Sequence, residues 1–159
     1  MITVQLESYE MECAEDVGRR RRKSSDGYTF RTGRGDSTNM DVDILGAQAE
    51  MAVAKALNLY WPAGVGTFKN VLDVPPFEVQ TTQLGLNLIL RDSDLHDSVT
   101  KSTPYILVWN VVPEFILVGW YSRQDYLDPS WRRSDYWLVP HHRLNQMEDH
   151  EVYNKFAIL

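Results

Sequence analysis

Cysteine is almost missing from this chain. Cys13 stands alone among 159 residues, which excludes an intrachain disulfide, leaves no thiolates for a zinc cluster and suits a reducing cytosol. An excess of positive charge is missing too: 16 Lys and Arg stand against 22 Asp and Glu, a net charge of -6 at pH 7. The surface as a whole therefore repels polyanions, and any contact with nucleic acid has to be local. Long apolar runs are also lacking. The most hydrophobic stretch, YILVWNVVPEFILVGWY from Tyr105 to Tyr121, is cut by Asn110, Pro113 and Glu114, so neither half is long enough for a membrane-spanning helix. It reads as a hairpin of two strands. The first ten residues, MITVQLESYE, lack the apolar centre of a signal peptide, and no internal repeat is found.

What is present is enough for a core: 43% of residues are hydrophobic and 11% aromatic. The length is that of one domain, expected to span 1–159 with an N-terminal helix and loop extension (1–40), a core (41–140) and a C-terminal tail (141–159). Helix-compatible spacing runs from Val4 to Lys23, with Leu6, Tyr9, Cys13 and Val17 near one face and RRRRK at the end. Ser24 to Asn39 has no period and reads as a loop. A second helix is predicted from Asp41 or Asp43 through DILGAQAEMAVAKAL until Asn58 to Pro62 ends it. Strands are predicted over Gly66–Val74, Phe77–Gln83, Leu86–Leu90, Tyr105–Val112, Phe115–Tyr121 and Tyr136–Val139, with a short helix in SRQDYLDPSWRR. The fold class is therefore mixed α/β (α+β), a helix packed on a meander of strands and followed by a second helical segment.

Two stretches carry chemistry. On the second helix Glu50 has Gly46, Ala47, Val53 and Ala54 one turn away and no basic residue at helical pairing distance. If that face is buried, the carboxylate needs a counter-charge from elsewhere, and a metal ion would serve; if the helix is partly exposed, Glu50 is simply solvated. The other stretch is LDVPPFEVQTT, Leu72 to Thr82. Pro75 and Pro76 cannot sit in a central ladder, so they mark a bend that returns Asp73 beside the next strand. Glu78 and Gln80, two apart on that strand, point to the same face. An aspartate, a glutamate and a nearby backbone carbonyl suffice to hold Mg²⁺ beside a phosphate.

GAQAEMAVAKAL, then DVPPFEVQTT, then paired apolar strands closing on VGWY, resemble the PD-(D/E)xK nuclease superfamily, in particular its small phage and bacterial members. The resemblance covers Asp41 to Pro140. It implies a restriction-endonuclease-like core, a mixed β-sheet flanked by helices, and a divalent-metal-dependent nuclease acting on DNA. Glu50, Asp73 and Glu78 would hold Mg²⁺ or Mn²⁺, and Gln80 stands in the place of the superfamily's lysine. Glutamine can hold a water but carries no charge. Leu72 stands where the superfamily usually has proline. The alternative is a nuclease-like scaffold without catalysis, acting as a regulatory phage protein that binds nucleic acid or protein. A structural component of a virion is a third possibility.

Candidate contacts to DNA are Arg19, Arg20, Arg21, Arg22 and Lys23 of the basic run and Arg31 and Arg34 of the following loop. Lys69 and Arg91 are exposed strand cations that could also approach a phosphate. The pair His141 and His142 reads as extended backbone whose side chains diverge, so joint coordination of one ion is disfavoured. The five tryptophans, at 61, 109, 120, 131 and 137, read as packing residues rather than base-stacking platforms. The expected setting is cytoplasmic, in a bacterium or a phage-infected host, with DNA as partner, no membrane, and a homodimer where both strands are to be cut.

Overall fold

Val4 and Gln5, which fit a helical period, belong to a strand instead. In the computed structural model, which describes residues 1–25, 38–66, 71–92, 103–122 and 125–147, β1 (Ile2–Gln5) pairs antiparallel with β5 (Glu114–Ser122), Val4 opposite Phe115. β-Branched Ile2, Thr3 and Val4 suit a pleated surface, and the partner strand decides the outcome over local periodicity. Helix α1 (Ser8–Ser25) starts only afterwards, where the Glu10 carboxylate accepts the Glu7 N–H at 2.7 Å, the backward half of a capping box.

Helix α2 (Thr38–Leu57) follows, its alanine-rich body favouring helix. It ends in a Schellman motif: Asn58 takes φ 52°, the Leu59 N–H bonds the Ala54 carbonyl at 2.9 Å and the Asn58 N–H reaches the Lys55 carbonyl at 3.4 Å. The two helices cross where Gly18 meets Ile44. A Cβ on Gly18 would lie 2.6 Å from the Ile44 Cα, so only glycine permits this approach.

The main sheet has four strands in the order β1-β5-β4-β2, with β2 at Glu78–Gln83 and β4 at Pro104–Val111. β4 and β5 form the expected antiparallel hairpin through cis-Pro113, whereas β2 runs parallel to β4. The expected meander is thus not formed. β3 (Leu88–Arg91) leaves the main sheet and pairs antiparallel with β6 (Tyr136–Val139) in a two-stranded ribbon. Of the strand predicted over 66–74, the described part holds only the bridge between Val74 and Phe77 that closes the Pro75–Pro76 bend, both prolines being half-exposed or exposed. The predicted helix after β5 is a single 3-10 turn, Pro129–Trp131.

Alternation along β4 and β5 divides the core in two. Ile106, Val108, Phe115 and Leu117 face α2, with Ala49, Ala52, Val53, Val74 and Phe77. Tyr105, Leu107, Trp109 and Val118 face the ribbon, with Leu88, Leu90 and Val139. Each fully buried aliphatic or aromatic side chain contributes about 1.5–3 kcal/mol of transfer free energy. α1 packs on α2, so the order is helices, sheet, ribbon. The N-terminal segment, expected as an extension, is built into both the sheet and the helical layer. The expected tail is tied in as well: Asn145 exchanges backbone hydrogen bonds with Trp120 at 2.9 and 3.0 Å, and Met147 is buried. Among the described residues no helix is long and apolar enough to cross a membrane.

Candidate functional site

Glu50 is buried, only 4% exposed, on the face of α2 that carries Ala47 and Val53. Its counter-charge comes from α1. Arg21 approaches it as a fork, Nη1 to Oε1 at 2.6 Å and Nη2 to Oε2 at 2.7 Å, and the Trp61 indole donates to Oε2 at 2.9 Å. Arg21 is itself fixed by a 2.7 Å bond from Nε to the Gly64 carbonyl. The chain from Asn58 to Gly64, with Ala63 at φ 50°, turns back to bring Trp61 and Gly64 to this spot. Burial pushes the Glu50 carboxyl above its ordinary pKa and the charge of Asp73 adds to this, while Arg21 and Trp61 oppose it. Burial works against the Arg21 charge too, but Glu50, Asp73 and Asp43 outweigh it and hold the guanidinium above its usual value.

Asp73 belongs to the same electrostatic neighbourhood, since its charge acts on both Glu50 and Arg21. Its Oδ2 accepts the Val79 N–H at 2.9 Å. Among the described residues β2 is an edge strand of the main sheet, and this bond caps part of that edge. In extended backbone the N–H and C=O of one residue leave on the same side, so the Val79 carbonyl is directed to that edge as well. Asp43, in the second turn of α2, is held above its ordinary pKa by burial against the pull of Arg22 and Arg21.

Glu78 and Gln80 share a face, as expected, but it is the ribbon face. The register pairs them with Tyr105 and Leu107, which pack against the ribbon, whereas Val79 pairs with Ile106 and packs toward α2. Gln80 turns its amide onto β3, Nε2 donating to the Ile89 carbonyl at 3.0 Å and Oε1 accepting the Ile89 N–H at 2.6 Å. The fold therefore brings Glu50 and Asp73 together and turns Glu78 and Gln80 the other way along the same edge strand. Among the described residues no group of three His, Cys, Asp or Glu gathers closely enough to hold a metal ion.

The basic run divides by helical phase. Arg19 pairs with Glu15 and Arg20 with Asp16 on the exposed side, each one turn apart, while Arg21 turns inward. Lys23 is exposed and Arg22 half-buried. Arg31, Arg34 and Lys69 lie outside the described residues. Arg91 is exposed at the end of β3. His141 and His142 lie in a 3-10 turn, not extended backbone, with ring centroids 5.8 Å apart. His141 has structural partners: its N–H and Nδ1 lie 3.0 and 3.1 Å from the Asn87 Oδ1, and its ring stands edge-on to Trp109. Trp109 and Trp120 are core residues.

Trp61 and Gly64 are site residues that sequence reasoning did not single out, and Arg21, named there as a candidate DNA contact of the basic run, was not matched to Glu50. A signal existed for Arg21. Ala14 and Gly18, both small and buried, mark the face of α1 that meets α2, and Arg21 follows on that stripe. No family model, curated protein or solved structure matches this chain.

Proposed function

We propose that this protein is a divalent-metal-dependent nuclease acting on DNA phosphodiesters, on a restriction-endonuclease-like variant of the mixed α/β fold, in the cytoplasm of a bacterium or a phage-infected host. The observation that carries the proposal is the meeting of Glu50 and Asp73. A carboxylate from the middle of a helix and one from a bend act on each other and on Arg21 by charge, and Asp73 is bonded to β2, at the edge of the main sheet among the described residues. A buried carboxylate such as Glu50, held above its ordinary pKa by burial and by a neighbouring acidic charge, marks a candidate functional site.

The donor chemistry fits a hard cation. Asp73, Glu50 and the Val79 carbonyl offer only oxygen, which suits Mg²⁺ or Mn²⁺, ions that retain water and need few protein ligands. When bound, such an ion polarises a phosphoryl oxygen and lowers the pKa of a coordinated water. The chain's own residues orient the donors: Val79 fixes Asp73, and Arg21 with Trp61 fixes Glu50. Glu78, at the first position of β2, would approach the same edge from the ribbon side. Gln80 can position a water only after releasing Ile89.

That last point favours a second reading, the nuclease-like scaffold without catalysis. Both oxygens of Glu50 and both polar atoms of the Gln80 amide already have protein partners. Incubation of the purified protein with circular and linear DNA, with and without Mn²⁺, beside Asp73→Asn and Glu78→Ala, separates the two. Asparagine keeps an acceptor for the Val79 N–H. Mn²⁺-dependent cleavage that falls by roughly 100-fold in either folded variant supports the nuclease. Absence of cleavage by the wild type, with no heat of Mn²⁺ binding in calorimetry, leaves the scaffold.

A further inference from the structure

A nuclease of this design needs a positive charge beside the phosphate, and Gln80 has none. Its amide is turned onto β3. Of the arginines in the basic run, Arg19 and Arg20 spend their charge on neighbours of their own helix, in exposed pairs of small energetic value. Arg21 is different in three respects. It is paired with Glu50, one of the two carboxylates that the proposed function uses, and lies within the field of the other, Asp73. It is held rigidly, with bonds to Gly64 and to both oxygens of Glu50. And it is not sealed off, because 23% of its side chain remains exposed. Guanidinium has five N–H donors. Three go to Gly64 and Glu50, and the remaining two are not committed among the described residues.

We infer that Arg21 is the cation of this site, a phosphate-contacting residue that supplies from helix α1 the charge absent at Gln80. The inference rests on the nuclease reading for its chemistry, but not for its test. Held in advance by Glu50 and Gly64, the fork meets a phosphate oxygen with little further ordering, the property that makes such donors effective toward developing charge. The N–H left on each Nη lies on its own flank of the guanidinium plane, so each can donate singly to a phosphate oxygen while the fork stays on Glu50. The competing explanation is that Arg21 only neutralises a buried glutamate.

The deciding measurement is metal-free binding of a short DNA duplex in EDTA, followed by fluorescence anisotropy across a salt series, for the wild type, Arg21→Gln, Arg21→Lys and the control Arg133→Gln from the ribbon side. Each phosphate contact contributes roughly 0.9 to the slope of log affinity against log salt. Loss of about one unit of slope and roughly tenfold in affinity in Arg21→Gln, restored in slope by Arg21→Lys and not seen in Arg133→Gln, supports the inference. A neutralising role would change the unfolding midpoint but not the slope, so an unchanged slope in folded Arg21→Gln overturns it. Should Arg21→Gln not fold, the Arg21 side-chain Nε–H resonance of the wild type is followed while a thymidine dinucleotide is added. A saturable shift supports the contact, and no shift overturns it. Lack of Mn²⁺-dependent cleavage by the wild type counts against the nuclease reading alone, because the binding series needs neither metal nor turnover.

Discussion

Gln80 holds Ile89 by both of its backbone groups, donating to the carbonyl at 3.0 Å and accepting the N–H at 2.6 Å. One side chain of the main sheet thus acts as a surrogate strand residue for the outer edge of the ribbon. Replacement by lysine, the residue that a nuclease motif would place there, keeps one donor but leaves the Ile89 N–H without its acceptor. Gln80→Lys is expected to lower stability by about 1–3 kcal/mol, the cost of an unsatisfied half-buried donor. Chemical denaturation reads this directly, and a midpoint equal to wild type would show that the ribbon does not depend on the amide.

Glu50 requires similar care. Removal of one member of a buried ion pair leaves the other charged and unsolvated, so Glu50→Ala is expected to cost about 3–5 kcal/mol. Loss of activity in that variant would therefore be uninformative without a folding measurement beside it. Asp73→Asn and Glu78→Ala are the cleaner probes. If urea unfolding of Glu50→Ala matched the wild type, the Arg21 pair would carry no structural weight.

Glycines at two points of the helical layer give opposite expectations. A Cβ on Gly18 would lie 2.6 Å from Ile44 Cα and 2.8 Å from its N, backbone atoms that cannot swing aside. Gly18→Ala should push α1 off α2, destabilise by about 1–3 kcal/mol and loosen the Arg21–Glu50 contact. On α2 a Cβ at Gly46 meets nothing within 4 Å, so Gly46→Ala should stabilise by roughly 0.5–1 kcal/mol through helix propensity. Thermal unfolding of the two variants side by side tests the pair, and movement in the same direction would contradict the crossing geometry.

How far the sequence led depends on whether the deciding partner was near in the chain. β6 was legible to its boundaries, and β4, β5 and the body of α2 nearly so, because each combines long periodicity with local propensity. The second half of β1, Val4 and Gln5, was mistaken for the start of a helix because its strand form is set by β5, more than a hundred residues away. β3 was legible as a strand but not as part of a ribbon, since its partner β6 and its tie to Gln80 are both remote or carried by a side chain. At the site, the need of Glu50 for a counter-charge followed from its apolar neighbours. That Arg21 meets the need follows from the crossing at Gly18, which helical phase indicates but composition does not. The ribbon-facing direction of Glu78 and Gln80 depends on the register between β2 and β4, which alternation alone leaves open.

Acid dependence isolates a different pair. Glu10 is pushed up by burial, but the hydrogen bond from Lys55, the Glu7 N–H and the Lys55 charge outweigh this and hold its carboxyl below the ordinary range. A depressed native value means that the unfolded chain takes up the proton first. The stabilisation is therefore present above the ordinary glutamate value, about 4.3, and is lost as pH falls below it. Glu50 has the opposite sign: its native value is raised, so its contribution is complete at low pH and is lost as pH rises through that value. Glu10→Gln should accordingly unfold at a lower temperature than wild type near neutral pH, with the gap closing as the solution is acidified below about pH 4. Because Lys55 and Glu10 tie α2 to the start of α1 at 2.6 Å, the gap should also shrink in high salt, as screening weakens a partly exposed pair. A gap that stayed constant from neutral to acid pH would assign the stabilisation to packing of the side chain rather than to its charge.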